Sequence, residues 1–195
     1  MVTLNGTVAV DGVPTMGLRK WFGRGGEEGE TFEDYTLSAM KSGYMVDYDL
    51  RTWQVTAYQT YDYDGFVTTE WELVQGKEIR FLERSEDDGR IEWTFTQRIE
   101  INQIEEPVID HIVTHEDPPE TITYQGRSYH AVESSAGLMR EQGEGEGVEF
   151  VSWSYEGEGD RLLFITQWGE RDFKAYEGVY AEEYQFSDIL PGPAE

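Results

Sequence analysis

Three histidines are present, and two of them, His111 and His115, stand four residues apart. On a helix that spacing places two imidazoles on one face, where they can chelate zinc. Here the glutamate of the metalloprotease pattern is missing, and the intervening Ile112, Val113 and Thr114 read as strand or extended linker, so no metal site is expected. His130 follows Tyr129 in an alternating stretch and should face solvent if Tyr129 points inward.

Carboxylates are abundant, with 40 Asp plus Glu, so two of them lying close together says little about acid-base catalysis. Glu133 and Glu149 are placed to face a cleft, but neither is assigned a catalytic role. Asp62, Asp64 and Gly65 match the opening of a calcium loop, yet the downstream bidentate glutamate is out of register, so they read as turn acids. The absence of cysteine removes disulfides and thiolate chemistry. No nucleophile elbow, phosphate loop or dinucleotide fingerprint occurs, and the Gly143–Gly147 run carries glutamates that repel phosphate. No catalytic residue and no cofactor is expected.

Arg51 and Arg127 each precede an aromatic residue, Trp53 and Tyr129, by two positions, which on a strand puts guanidinium and ring on one face. Packing across an interface is the first reading of these arginines, a ligand contact the second. With Trp71, Trp153 and Trp168 they form a candidate partner or ligand surface, where carboxylates beside aromatic faces suit a small cation such as a polyamine. Near the start, Arg19, Lys20, Trp21 and Phe22 make a basic-aromatic patch suited to a membrane surface or a protein partner.

The elements that must hold these residues are strands. Residues 1–30 read as a flexible, Gly-rich leader, and 31–195 as a single β domain. Residues 36–43 suit one helical turn between Thr36 and Gly43. Short aromatic or β-branched segments at 44–48, 53–58, 69–73, 79–82 and 91–95 then alternate with turns at 62–65, 75–77 and 87–89, each carrying a glycine. After Asp117, Pro118 and Pro119 the pattern recurs: Arg127 answers Arg51, Trp153 answers Trp71, and Phe164 answers Phe81. The expected fold is all-β, built from two similar antiparallel modules at about 43–104 and 119–190. They are expected to pack as a sandwich or partly open barrel, with at most one or two short helical turns.

The formal net charge is -25, so nucleic acid is disfavoured as a partner. Only four basic residues are lysines, Lys20, Lys41, Lys77 and Lys174, and the acids are spread along the chain, a composition that fits a salt-rich host. Concentrated salt screens self-repulsion, so the melting temperature is expected to rise steeply from dilute to molar salt; a flat response would reject this. No apolar run is long enough to span a membrane, and the expected location is cytoplasmic, peripheral to a membrane at most.

Residues 124–129, then Trp153-Ser154-Tyr155, Gln167-Trp168-Gly169 and Gly178, taken in order, resemble the bacterial and archaeal family called domain of unknown function 4178. The leader Met16-Gly17-Leu18 and the segment 43–48 resemble that family's opening, so the resemblance runs from about Met16 to Leu190. It implies no enzymatic activity or catalytic residue. It implies association with membrane-stress systems related to phage-shock protein A, and gene company with a polyamine-pathway decarboxylase. Gln167 stands where the family has glutamate, which puts a charge-dependent role there in doubt. The leading functional expectation is a non-catalytic accessory module with a protein partner. A binder of small cations comes second and an enzyme third.

Overall fold

The computed structural model describes residues 35–192. Their strands are β1 (Met45–Tyr48), β2 (Arg51–Tyr63), β3 (Phe66–Gln75), β4 (Glu78–Asp87), β5 (Arg90–Ile99), β6 (Thr121–Tyr124), β7 (Arg127–Glu141), β8 (Val148–Gly157), β9 (Arg161–Gly169), β10 (Asp172–Ala181) and β11 (Phe186–Leu190). The expected hairpin turns form, and Gly65, Gly76 and Gly89 take the positive φ those turns need.

All pairings are antiparallel, in the order β11-β1-β2-β3-β4-β5-β10-β9-β8-β7-β6. Residues 59–62 of β2 also pair with 138–141 of β7. The eight strands β2 to β5 and β7 to β10 therefore close into a barrel, where a sandwich or a partly open barrel was expected. Closure depends on the two longest strands. Bulges at 55–57 in β2 and 131–133 in β7 bend each strand, and the portions beyond the bulges find each other. The outer portions of β2 and β7, which two separate sheets would leave as free edges, are thereby paired, while β6 and β11 remain edge strands.

A glycine lies in each of the two seams that close the ring. At Gly178, where β10 meets β5, a Cβ would stand 2.4 Å from the Phe95 carbonyl oxygen. At Gly137, where β7 meets β2, it would stand 2.5 Å from the Asp62 carbonyl oxygen. Both seams thus need a residue without a side chain.

Successive residues of these strands face opposite ways, and the apolar set faces away from the barrel's lumen. Trp53, Val55, Trp71, Leu73, Leu82, Trp93 and Phe95 form one core, covered by Leu37, Met40, Val46 and Phe186. Tyr129, Trp153, Tyr155, Leu163, Ile165 and Ala175 form a second, covered by Ile104, Ile122 and a helix, α1 (Val108–His115). The polar set, including Thr68, Glu70, Glu83, Glu92, Thr94, Ser152 and Thr166, is left to the lumen.

Helical content exceeds the one or two turns expected: besides α1 there are 3-10 turns at Leu37–Ala39, Ile101–Gln103 and Glu183–Gln185. The β-branched composition of 108–115 favours strand locally, but Val108 and Ile112, four apart, are buried together against the second core. Asp110 lies in the first turn, and Glu116 closes the helix in the left-handed conformation with its N–H bonded to the Ile112 carbonyl. Tertiary cover overrides propensity here.

Candidate functional site

Inward-facing residues from all eight barrel strands enclose a cavity of about 660 Å³. Its lining carries six carboxylates, Glu70, Glu83, Asp87, Glu92, Glu133 and Glu156, against a single guanidinium, Arg90. Aromatic rings supply much of the remaining wall. Tyr61, Phe150 and Trp168 cluster with ring centres 5.3 to 6.5 Å apart, and Tyr63, Tyr176 and Tyr180 line the same space.

Glu70 on β3 and Glu83 on β4 are direct cross-strand neighbours. Neither lies within salt-bridge distance of a basic side chain among the described residues. Tyr61 donates its hydroxyl to Glu70 Oε1 at 3.0 Å, and the Gln59 side-chain amide donates to the same oxygen. Burial raises the Glu70 carboxyl above its ordinary range, and those two donors oppose the rise. Burial, reinforced by the charges of Glu70 and Glu92, pushes Glu83 up to about 8. Thr68 is close enough to temper that rise but lacks hydrogen-bond geometry. Its hydroxyl has no partner, although the residue is only 2% exposed and lines the lumen. Trp168 Nε1 is likewise unpartnered. Burial also raises Tyr61 and Tyr63, keeping both phenols neutral. Tyr180 is pushed up to about 12, first by burial and then by its hydrogen bond to Glu156.

This arrangement can hold a cation by charge and by ring faces, and it can hold a proton near neutral pH. Of the aromatic and basic residues singled out from the sequence, Trp168 alone lies on the lumen, with the Lys174 ammonium 4.9 Å from its ring centre. Trp53 and Trp71 lie in the first core, Tyr129 and Trp153 in the second, each between 1% and 4% exposed, so they do not form a surface. Arg51 turns to Glu78 at 2.9 Å, and the guanidinium over Trp53 belongs to Arg80, 5.8 Å from the ring centre. Arg127 is exposed. Arg19, Lys20, Trp21 and Phe22 lie outside the described residues.

The strand reading of 111–115 is corrected by α1, which brings His111 and His115 to a ring separation of 4.5 Å. His111 Nδ1 donates to the Asp117 carbonyl at 2.7 Å. Among the described residues no three His, Cys, Asp or Glu side chains converge to hold a metal. His130 is exposed beside buried Tyr129, as expected. Asp62 accepts the Gly65 N–H at 2.8 Å and pairs with Arg140, which together hold its carboxyl below the usual range, so it serves the turn. Glu133 does face the lumen. Glu149 lines a more open cavity of about 760 Å³ that shares Phe150 and Trp168 with it.

Glu70, Glu83, Tyr61 and Thr68 were missed by sequence reasoning. The alternation of Thr68, Glu70 and Trp71, Leu73 was legible, but nothing in it says that the polar face turns inward.

These features define a closed antiparallel β-barrel with an acidic, aromatic-walled lumen held between two capped cores. Residues 41–183 match the family described as "Domain of unknown function (DUF4178)", and the chain belongs to that family. The resemblance carried by the motifs is thus borne out, over a narrower span. An uncharacterized protein of Aquifex aeolicus (strain VF5) is 27% identical over 175 residues, covering 89% of this chain and 96% of that protein. No solved structure matches the chain. No helix among the described residues is long and apolar enough to cross a membrane.

Proposed function

We propose that the barrel is a binding module for a small organic cation, such as a linear polyamine, held in the lumen at Glu70 and Glu83. The observation that carries this reading is the lining itself: six carboxylates, one guanidinium and a cluster of rings around a partly open lumen. Charge in such a space is weakly screened, and an ammonium group gains from both the carboxylates and the ring faces. The unpartnered Thr68 hydroxyl supplies an acceptor that an ammonium N–H can use.

Titration calorimetry with spermidine at low salt tests the reading. The double variant Glu70→Gln/Glu83→Gln is expected to weaken binding on the order of 100-fold, the loss of two charge-assisted hydrogen bonds. It alters only two of 40 acids, so general attraction to the acidic surface survives it. Unchanged affinity in that variant would place the cation outside the lumen.

A second reading, an accessory interaction module at the cytoplasmic face of a membrane-stress assembly, draws on the family resemblance and on Leu50. That residue sits fully exposed at the tip of the β1–β2 turn with φ +61, a conformation costly for its type, whereas the β6–β7 turn uses Gly126 at φ +70. An apolar side chain held out at such a cost suits a partner contact. Pull-down with the host's phage-shock-A-like protein checks it, and equal retention of Leu50→Asp would remove its support.

The same pairing of turns supports a duplicated five-strand unit. Trp71 Nε1 donates to the Met40 carbonyl and Trp153 Nε1 to Asp117 Oδ1, each bonding the segment that caps its own core.

A further inference from the structure

We infer that the lumen exchanges a proton for its cation: one carboxyl of the Glu70 and Glu83 pair carries the proton when the barrel is empty and releases it as an ammonium group takes its place. This rests on the reading of the lumen as a cation site and supplies its regulation.

The geometry makes two charges here untenable without a cation. Glu70 and Glu83 are directly opposite on adjacent strands and both face the lumen, where like charges side by side repel. No basic side chain among the described residues pairs with either. The surrounding elements deepen the negative potential: Glu72 on β3, Glu92 on β5, Glu133 on β7 and Glu156 on β8. Tyr61 on β2 and Tyr176 on β10 stay neutral. Lys174 on β10 is the one cation that favours ionisation of Glu70 among the described residues, and it does so from its seat over Trp168. Arg90 lies near the turn that joins β4 to β5, paired in register with Asp87.

The two carboxyls are not equivalent. Glu70 receives hydrogen bonds from Tyr61 and Gln59, which stabilise its ionised form, whereas Glu83 has only the Thr68 hydroxyl nearby, out of hydrogen-bond geometry. The proton therefore resides on Glu83, whose carboxyl burial and neighbouring acids hold up to about pH 8. On uptake the ammonium enters with its charge and its N–H bonds intact, the Glu83 O–H bond breaks, and the proton goes to solvent. Both carboxylates then face one ammonium group, so the net charge of the pair with that single group is the same before and after. Affinity should rise with pH, by up to tenfold per unit below about pH 8, and level off above it.

Calorimetry of the full chain with spermidine at neutral pH, in phosphate and in Tris, reads the released proton from the difference in buffer ionisation heat. About one proton per bound cation is expected, the fraction set by a group titrating near 8. Glu83→Gln is expected to bind more weakly and with the same heat in both buffers. Equal heats in the native protein would overturn the exchange while leaving the cation site standing, and buffer dependence retained in Glu83→Gln would overturn its assignment to Glu83. No heat from spermidine in either buffer would remove both the site and the exchange.

Discussion

Trp71→Ala is expected to destabilise the fold by about 4 kcal/mol, read as a shift of the denaturant midpoint. The indole is 2% exposed, packs against Trp93 with ring centres 5.9 Å apart, and donates Nε1 to the Met40 carbonyl at 2.9 Å. Truncation leaves a cavity in the first core and an orphaned carbonyl on the segment that covers it. Trp153→Ala should cost a similar amount, because Trp153 is 4% exposed in the second core and bonds Asp117 at 2.8 Å. Trp168→Ala should cost far less stability, since that ring borders the lumen, and should act on ligand binding instead. A cost below about 1 kcal/mol for Trp71→Ala would mean that the indole is not a core element.

The second large effect concerns pH. Glu83 titrates near 8 in the folded protein against an ordinary value of 4.5, so between those values the folded state holds a proton that the unfolded chain has lost. A carboxyl raised in this way contributes stability that is fully present below about 4.5 and lost as the pH rises through about 8. Glu70 shifts in the same direction. Unfolding free energy should therefore fall across this window, and Glu83→Gln should flatten the fall by on the order of 2 kcal/mol, a figure discounted for the water the lumen admits. Denaturant titrations of native protein and variant at matched ionic strength check this. Parallel curves for the two proteins would show that Glu83 carries no such proton.

Both effects follow from one arrangement, in which the strands turn their apolar faces outward to caps and their polar faces inward. The caps matter as much as the barrel: the 3-10 turn at Leu37–Ala39 and the short helix α1 are what keep two aromatic-rich faces out of water. The lumen can then remain polar without removing the driving force for folding, because that force lies elsewhere.

The strands and their hairpin glycines were written in local pattern. Alternation has a period of two, and positive φ selects glycine at Gly65, Gly76 and Gly89, so neighbours along the chain suffice to place them. Burial of Trp53, Trp71 and Trp153 on one face was equally implicit in that alternation, although its aromatic content read as a ligand surface. Three features were decided only in space. The 59–62 with 138–141 pairing that closes the ring joins segments far apart in the chain, and Gly137 and Gly178 acquire their meaning only at the two seams. The helix over 108–115 exists because Val108 and Ile112 find a core to cover, against the preference of their own side chains. The acidic pair stands side by side through the β3–β4 hairpin register, but only closure of the ring turns Glu70 and Glu83 into a shared lumen. Among 40 carboxylates, the chain order alone distinguishes neither of them.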